Sequence, residues 1–312
     1  MNQFKKLEQA AQMQIRQESK TWHGRIVLSG LLVVLCYSVF WLGVLLLRSI
    51  RGSSSGFLQA AALFLALQLL WTQRQRLKQI AVDAEDRLLG HMLILSGVVL
   101  LPVCLIATWS DAFIRSLLAA IVCAWILAGI ACSRWGAGFF SAHPLCIFLI
   151  CMGLLPKPAE ISRGIWQAVT PPEMLERFMA WSGSLALQAI NQPAIAQGIF
   201  ISLPSGAVKI GWGCNGFDMA ATMAVASFVL GLFLKQSRSK IILLMVVGAV
   251  LALVFNIPRI MLVSIAAVYW GKFWFEFWHD SWGSQIFVTI LFTIYYYVIM
   301  ALIKRRPQKQ PS

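Results

Sequence analysis

The sequence predicts an all-α fold, a polytopic membrane helix bundle of about eight transmembrane helices with one outer insertion of mixed short elements. Two observations carry this reading. Of the 312 residues, 59% are hydrophobic and only 12% are charged, about half the charged share of an ordinary soluble domain. So few charges cannot coat a soluble surface. The apolar residues also come in runs close to the length that a helix needs, about 20 residues, to cross about 30 Å of hydrocarbon.

In order, the runs are Ile26 to Leu47, Phe57 to Trp71, Leu88 to Thr108, Ala112 to Cys132, Gly136 to Leu155, Gly216 to Leu234, Ile241 to Trp270 and Ser284 to Ile303. The second is short. The layout is a cytoplasmic tail over residues 1–25, a membrane domain over 26–303, and a basic tail over 304–312. A polar interruption over 156–213 forms the outer insertion. Within it, Glu173 to Ile190 reads as an amphipathic helix able to lie on the outer membrane surface. Ile199 to Ile210 reads as a short hairpin. Ser53-Ser54-Ser55 and Pro171-Pro172 read as loops or turns. The first 25 residues are polar and helix-prone, so the first run serves as the targeting signal and stays as a span.

Charge orients the bundle. The net charge of +14 could suggest nucleic acid, but the Lys and Arg residues sit in short clusters between apolar runs, where membrane proteins keep their cytoplasmic charges. A nucleic-acid partner is not expected; the lipid bilayer is. With the N-terminus inside, the inner segments hold seventeen Lys and Arg residues and the outer ones seven. An even number of spans puts both termini on the cytoplasmic side. Arg115 and Arg259 lie within apolar runs.

The seven cysteines, Cys36, Cys104, Cys123, Cys132, Cys146, Cys151 and Cys214, lack the Cys-x-x-Cys spacing of a metal site, and neither a disulfide framework nor a zinc site is expected. Six of them read as packing residues. An arginine inside the membrane demands a partner or a function. Arg259 stands in Phe255-Asn256-Ile257-Pro258-Arg259, with Asn256 three residues back on the same helix face and Pro258 freeing a carbonyl one turn earlier. A snorkelling arginine is the plainer alternative.

The bilayer serves as a ruler. The run Ile241 to Trp270 would be about 45 Å of helix, so its outer third must tilt or protrude. The sixth and seventh spans share the basic turn Lys235 to Lys240. Counted outward from it, Cys214 lies 21 residues before Lys235 and Arg259 lies 19 after Lys240, which sets them level within about 3 Å. Cys214 occurs in Gly211-Trp212-Gly213-Cys214-Asn215-Gly216, a glycine-rich approach that brings backbone close to a ligand where a helix begins. A thiol at a helix N-terminus beside a cation has a stabilised thiolate, which is what a nucleophilic cysteine requires. Of the histidines, His23, His91 and His143 fall on the inner side and His279 falls outside. His279, in Trp278-His279-Asp280-Ser281-Trp282-Gly283, is a suitable base for a thiol near neutral pH. The alternative is an interfacial histidine in a belt of Trp270, Trp274, Trp278 and Trp282.

These residues resemble the exosortase and archaeosortase family. The family pattern is Cys-Ser-Gly at the outer start of a helix, Asn-x-x-Arg in the next helix, and a histidine followed by glycine before the last span. The matching residues are Cys214-Asn215-Gly216, Asn256-Ile257-Pro258-Arg259, and His279 with Gly283, in the family's order. The similarity covers mainly Ile199 to Ile303. Asn215 stands where the family usually has serine.

The resemblance implies a membrane-embedded cysteine protease or transpeptidase. Its substrates would be exported proteins with a C-terminal sorting signal: a short Pro-Glu-Pro-like motif, a transmembrane helix and a basic tail. Cys214, Arg259 and His279 would be catalytic, and Asn256, Asn215 and Gly216 supporting or substrate-binding. No metal or other cofactor is expected. The expected location is a bacterial plasma (inner) membrane, with the active site on the outer, periplasmic face. Other readings remain: a transporter or lipid flippase using Arg259 and Asn256 in a broken helix, a non-enzymatic scaffold, or a lipid acyltransferase.

Overall fold

The computed structural model describes residues 13, 16–50, 55–77, 79–106, 112–156, 158–279 and 281–304. Most of the N-terminal tail, Ser53 and Ser54 of the expected loop, Lys78, Thr108, Lys157, Asp280 and the basic tail from Arg305 onward lie outside them. Among the described residues the chain is helical apart from connecting turns and one small sheet, and it divides into two compact units. The first comprises the described residues of Met1–Leu47 and Gln59–Lys157; the second comprises those of Arg48–Leu58 and Pro158–Ser312.

The first unit draws on α1 (Trp22–Ile50), α2 (Ser55–Thr72), α3 (Arg74–Leu77), α4 (Ala84–Ile106), α5 (Ala112–Trp135), α6 (Gly138–Ala142) and α7 (Pro144–Leu154). Its core gathers Tyr37, Trp41 and Leu45 of α1, Leu101 of α4, and Ala119, Cys123 and Ile126 of α5. The α4 and α5 backbones touch at a pair of glycines. A Cβ on Gly90 would lie 2.6 Å from the Gly129 carbonyl oxygen, and one on Gly129 would lie 2.8 Å from that of Gly90. Small residues let membrane helices approach this closely where apolar burial gives little drive. Near the start of α1, Arg134 Nη2 and Glu18 Oε1 form an ion pair at 2.7 Å.

The second unit contains α8 (Pro158–Val169), α9 (Met174–Ala189), β1 (Ile195–Gln197), β2 (Phe200–Leu203), β3 (Gly206–Lys209), α10 (Phe217–Phe233), α11 (Arg238–Ile265), α12 (Lys272–His279) and α13 (Ser281–Lys304). The strands form an antiparallel sheet in the order β1-β2-β3, with Ile201 opposite Val208 and Leu203 opposite Gly206. The β2–β3 hairpin occupies the segment read as one, whereas β1 and α8 were not foreseen. Alternation turns Ile201 and Leu203 inward, where they meet Leu175, Met179 and Leu187 of α9 and Ile260 of α11.

Helix α9 has two apolar faces. Leu175, Met179, Gly183 and Leu187 are buried, while Met174, Phe178, Trp181 and Leu185 form an exposed stripe at helical spacing. Helices α10 and α11 make a hairpin through Lys235, whose left-handed φ of 51° closes the turn. A second core of Met219, Met223, Leu244, Ala252, Leu291 and Tyr295 joins α10, α11 and α13. The buried Tyr295 hydroxyl meets the Ser227 hydroxyl and donates to the Leu244 carbonyl at 3.1 Å.

By length and composition, four helices among the described residues are able to cross a membrane: Trp22–Leu47, Ala84–Cys104, Phe113–Trp135 and Arg238–Trp270. Four shorter apolar helices, Leu58–Thr72, Pro144–Leu154, Phe217–Phe233 and Gln285–Ala301, fall on the other runs. Gly136 to Leu155 is not one helix. It breaks at His143, φ −129° and ψ 47°, because the ring of Pro144 disfavours helical geometry in the residue before it. Pro258, in contrast, sits inside α11 without ending it. Beyond Ile265 the helix widens into a five-residue π segment, Ala266–Trp270, and stops at Gly271 with φ 83°.

Candidate active site

The glycine-rich segment after β3 places Cys214 on a tight turn. The N–H groups of Cys214 and Asn215 both donate to the Gly211 carbonyl at 2.9 Å. Gly216 then takes φ 79°, a left-handed conformation that costs other residues about 1–2 kcal/mol, and α10 begins. A Cβ on Gly216 would also come within 2.8 Å of Asn256 Nδ2. The turn therefore needs glycine for both backbone and space. It leaves Cys214 three residues before α10, at the positive end of the helix.

Asn215 is fully buried and uses both ends of its amide. Its Oδ1 accepts from the Phe217 N–H at 2.9 Å, an Asx-type turn that starts α10. Its Nδ2 donates to Glu176 Oε1 on α9 at 3.0 Å. A serine hydroxyl is too short to span both partners, so an asparagine here fits the carboxylate buried opposite it.

Asn256 and Arg259, one helical turn apart on α11, grip the same turn from below. Asn256 Nδ2 donates to the Cys214 carbonyl at 2.7 Å. Arg259 Nη1 donates to the Gly213 carbonyl at 3.3 Å and stands 3.5 Å from Asn256 Oδ1. Arg259 Nη2 donates to the His279 carbonyl at 3.2 Å. One guanidinium thus ties the segment before Cys214 to the end of α12. Arg259 is only 7% exposed and Cys214 only 6%. Arg259 Nε is buried without a hydrogen-bond partner among the described residues. The Cys214 thiol and the Asp218 carboxylate both lie within electrostatic reach of Arg259, and Asp218 is itself held by a two-pronged contact from Arg163 of α8.

The His279 ring stacks on Phe275 with centroids 5.0 Å apart. Its Nε2 comes within 4.0 Å of where a Cβ on Gly213 would stand, so the imidazole edge faces the residue next to Cys214. Gly283 permits the α12–α13 corner: a Cβ there would lie 2.6 Å from the Trp278 backbone. Trp270 and Trp274 are exposed, as a membrane-interface belt requires, but the Trp278 indole N–H is buried without a partner among the described residues. The Trp282 side chain lies outside the described set.

Two cavities open around this turn. One of about 130 Å³ is lined by Trp212, Gly213, Gly216, Asp218 and Thr222, with Arg259 in its wall. The other, about 250 Å³, is bounded by Trp166, Pro171, Pro172, Glu173, Glu176 and again Trp212. Cys214 lines a smaller apolar recess with Ile210, Arg259, Ile260 and Val263. Arg259 therefore forms a wall common to that recess and the 130 Å³ cavity. No group of three or more His, Cys, Asp or Glu side chains among the described residues is placed to hold a metal ion.

The structure thus brings together Cys214, Asn215, Gly216, Asn256 and Arg259, with His279 reached through its carbonyl and ring edge. Sequence reading missed Glu176, Asp218 and Arg163. Glu176 left a signal, since it stands on the same face as Met179, Ala180, Gly183 and Leu187, where a carboxylate is out of place. Arg163 and Asp218, 55 residues apart, left none.

These features define a helical membrane protein with a cysteine and a buried arginine joined at the start of one helix. The chain matches the family model described as transmembrane exosortase (Exosortase_EpsH) over residues 50–296, most of its length. It belongs to the transmembrane exosortase family. No curated protein and no solved structure matches it.

Proposed function

We propose that this protein is a membrane-embedded cysteine transpeptidase that cleaves the C-terminal sorting signal of exported proteins. The Cys214 thiolate attacks the scissile carbonyl, and His279 takes the thiol proton. The tetrahedral oxyanion is stabilised by Arg259. As the C–N bond breaks, His279 returns the proton to the leaving amine and a thioester to Cys214 remains. A second nucleophile, from an acceptor amine or water, then releases the acyl group and restores the thiol.

The observation that carries this reading is the position of the Arg259 guanidinium. It is buried and bonded to the carbonyls of Gly213 and His279, and its Nε has no hydrogen-bond partner among the described residues. A fixed cation in a water-poor site stabilises developing negative charge far better than one in water. Asn256 holds the turn and helps orient Arg259; Asn215 and Gly216 hold its other end. The groove beside Trp212 and Glu176 is the approach for the substrate's extended segment.

Eight spans, both termini in the cytoplasm and a site on the periplasmic face of the inner membrane complete the proposal. In that arrangement residues 26–303 form the membrane domain, and residues 156–213 its outer insertion. The exposed stripe of α9 supports its contact with the outer interface. A substrate anchored by one transmembrane helix and a basic tail would present its scissile bond at that level.

The test is co-expression of the full chain with a protein that carries such a signal, following its processing by mass and by membrane release. Cys214→Ala should leave the substrate intact. Unimpaired processing by this variant would remove the thioester mechanism. A transporter or flippase reading gains some support from the cavity beside Arg259; it requires activity that persists without Cys214.

A further inference from the structure

The first unit holds a feature that the peptidase reading does not use. Between α1, α4 and α5 lies a cavity of about 910 Å³, whose apolar wall includes Phe40, Leu101, Pro102 and Ile106. Among the described residues that line it, Arg115 is the one that carries a charge. This guanidinium is half-buried and has no ion-pair or hydrogen-bond partner among the described residues. An unpaired cation within an apolar span is costly and calls for an anion.

The position of the cation within the cavity narrows the choice. Arg115 is three residues into α5, about 5 Å from its start, and Ile106 is the last residue of α4. Both therefore stand at the end of the α4–α5 hairpin, where helix ends meet the headgroup layer. Leu101 and Ala119 line the cavity farther along the same helices, roughly 7–10 Å deeper. The volume lies at the upper end of the range of about 300–1,000 Å³ for small-molecule clefts. A ligand that fits carries its negative charge at one end and a long apolar body behind it. Guanidinium pairs with phosphate through two parallel hydrogen bonds.

We propose that this cavity is a binding site for an anionic phospholipid, with the phosphate on Arg115 and an acyl chain against Leu101 and Tyr37. A zwitterionic lipid is a weaker ligand, because its own ammonium competes for the phosphate. The lipid occupies α1, α4 and α5, so it bears on the first unit and not on the chemistry of Cys214.

The experiment uses the full chain, exchanged into phosphatidylcholine nanodiscs containing a minor fraction of phosphatidylglycerol, then released into mild detergent for native mass spectrometry. The wild type should retain phosphatidylglycerol above its share of the bilayer. Arg115→Gln should lower that retention about fivefold, the effect of one basic residue at an anionic lipid surface, and Arg115→Lys should fall between the two. Ala119→Phe fills the cavity with the cation intact and should also lose the lipid, which guards against a misfolded Arg115→Gln. Helicity measured by circular dichroism accompanies each variant. Equal retention by folded Arg115→Gln, or by Ala119→Phe, overturns the site. Retention of diacylglycerol equal to that of phosphatidylglycerol overturns the role of the phosphate. Displacement of the lipid by glycerol 3-phosphate at equal concentration overturns the role of the acyl chain. Substrate processing by Arg115→Gln is read separately, so this result and that for Cys214 are independent.

Discussion

The Asn256 side-chain amide donates to the main-chain carbonyl of Cys214 at 2.7 Å, so the helix that carries Arg259 also fixes the turn that carries the thiol. Both groups are buried, Asn256 completely. Replacement of Asn256 by leucine leaves the Cys214 carbonyl unpaired, at a cost of about 1–3 kcal/mol. Processing should fall strongly while the helical content of the purified protein changes little. Normal processing by Asn256→Leu would show that the turn is held without this contact.

Arg259→Lys separates charge from geometry. A lysine keeps the cation but cannot reach the Gly213 and His279 carbonyls with one planar fork. If the guanidinium also serves the oxyanion, turnover should drop about 10²–10³-fold, the usual loss for one such donor. Single-turnover measurement of thioester formation distinguishes this from weaker substrate binding.

Asn215 and Glu176 should behave as one unit. Glu176→Gln and Asn215→Ala each disturb the same buried bond of 3.0 Å, so the two losses of stability should not add; a double-mutant cycle should give about 0.5–3 kcal/mol of coupling. Asn215→Ser, whose hydroxyl is too short to reach both partners, should also be destabilising unless Glu176 is changed with it. Additive effects would mean that the amide and carboxylate act separately.

Gly216→Ala should be more harmful than a surface glycine change. It introduces left-handed strain of about 1–2 kcal/mol and drives a methyl into Asn256, whose Nδ2 is 2.8 Å from the new Cβ. Thermal unfolding should shift downward and thioester formation should be lost together. Gly164→Ala, where a Cβ meets nothing within 4 Å, is the matched control.

The proximity of Cys214 and Arg259 was legible because the two helices that lead to them share one short turn at Lys235. Counts of 21 and 19 residues from a common point give heights within about 3 Å of each other, whatever the side chains in between. Helix α9 was legible from its apolar spacing, and the β2–β3 hairpin from alternation. The Glu176–Asn215 and Arg163–Asp218 pairs were not, since contacts 39 and 55 residues apart leave no local period. The break at His143 illustrates a different limit: hydropathy counts apolar residues without regard to the backbone restriction that Pro144 imposes. The role of Asn215 depends on Glu176 opposite it, a contact that no sequence motif carries.

The short α10–α11 turn also sets an order of biogenesis. Cys214 and Arg259 are made 45 residues apart on adjacent helices able to dock as a hairpin soon after they enter the bilayer. His279 follows 20 residues later, and Gly283 allows α13 to fold back directly behind it. A nascent chain halted before α13 would have its thiol and its cation in place while the segment bearing the imidazole, resting on α11 and the π segment, lacked its packing against α13. Under the peptidase reading, the enzyme would stay inert through its own synthesis and acquire its proton carrier last.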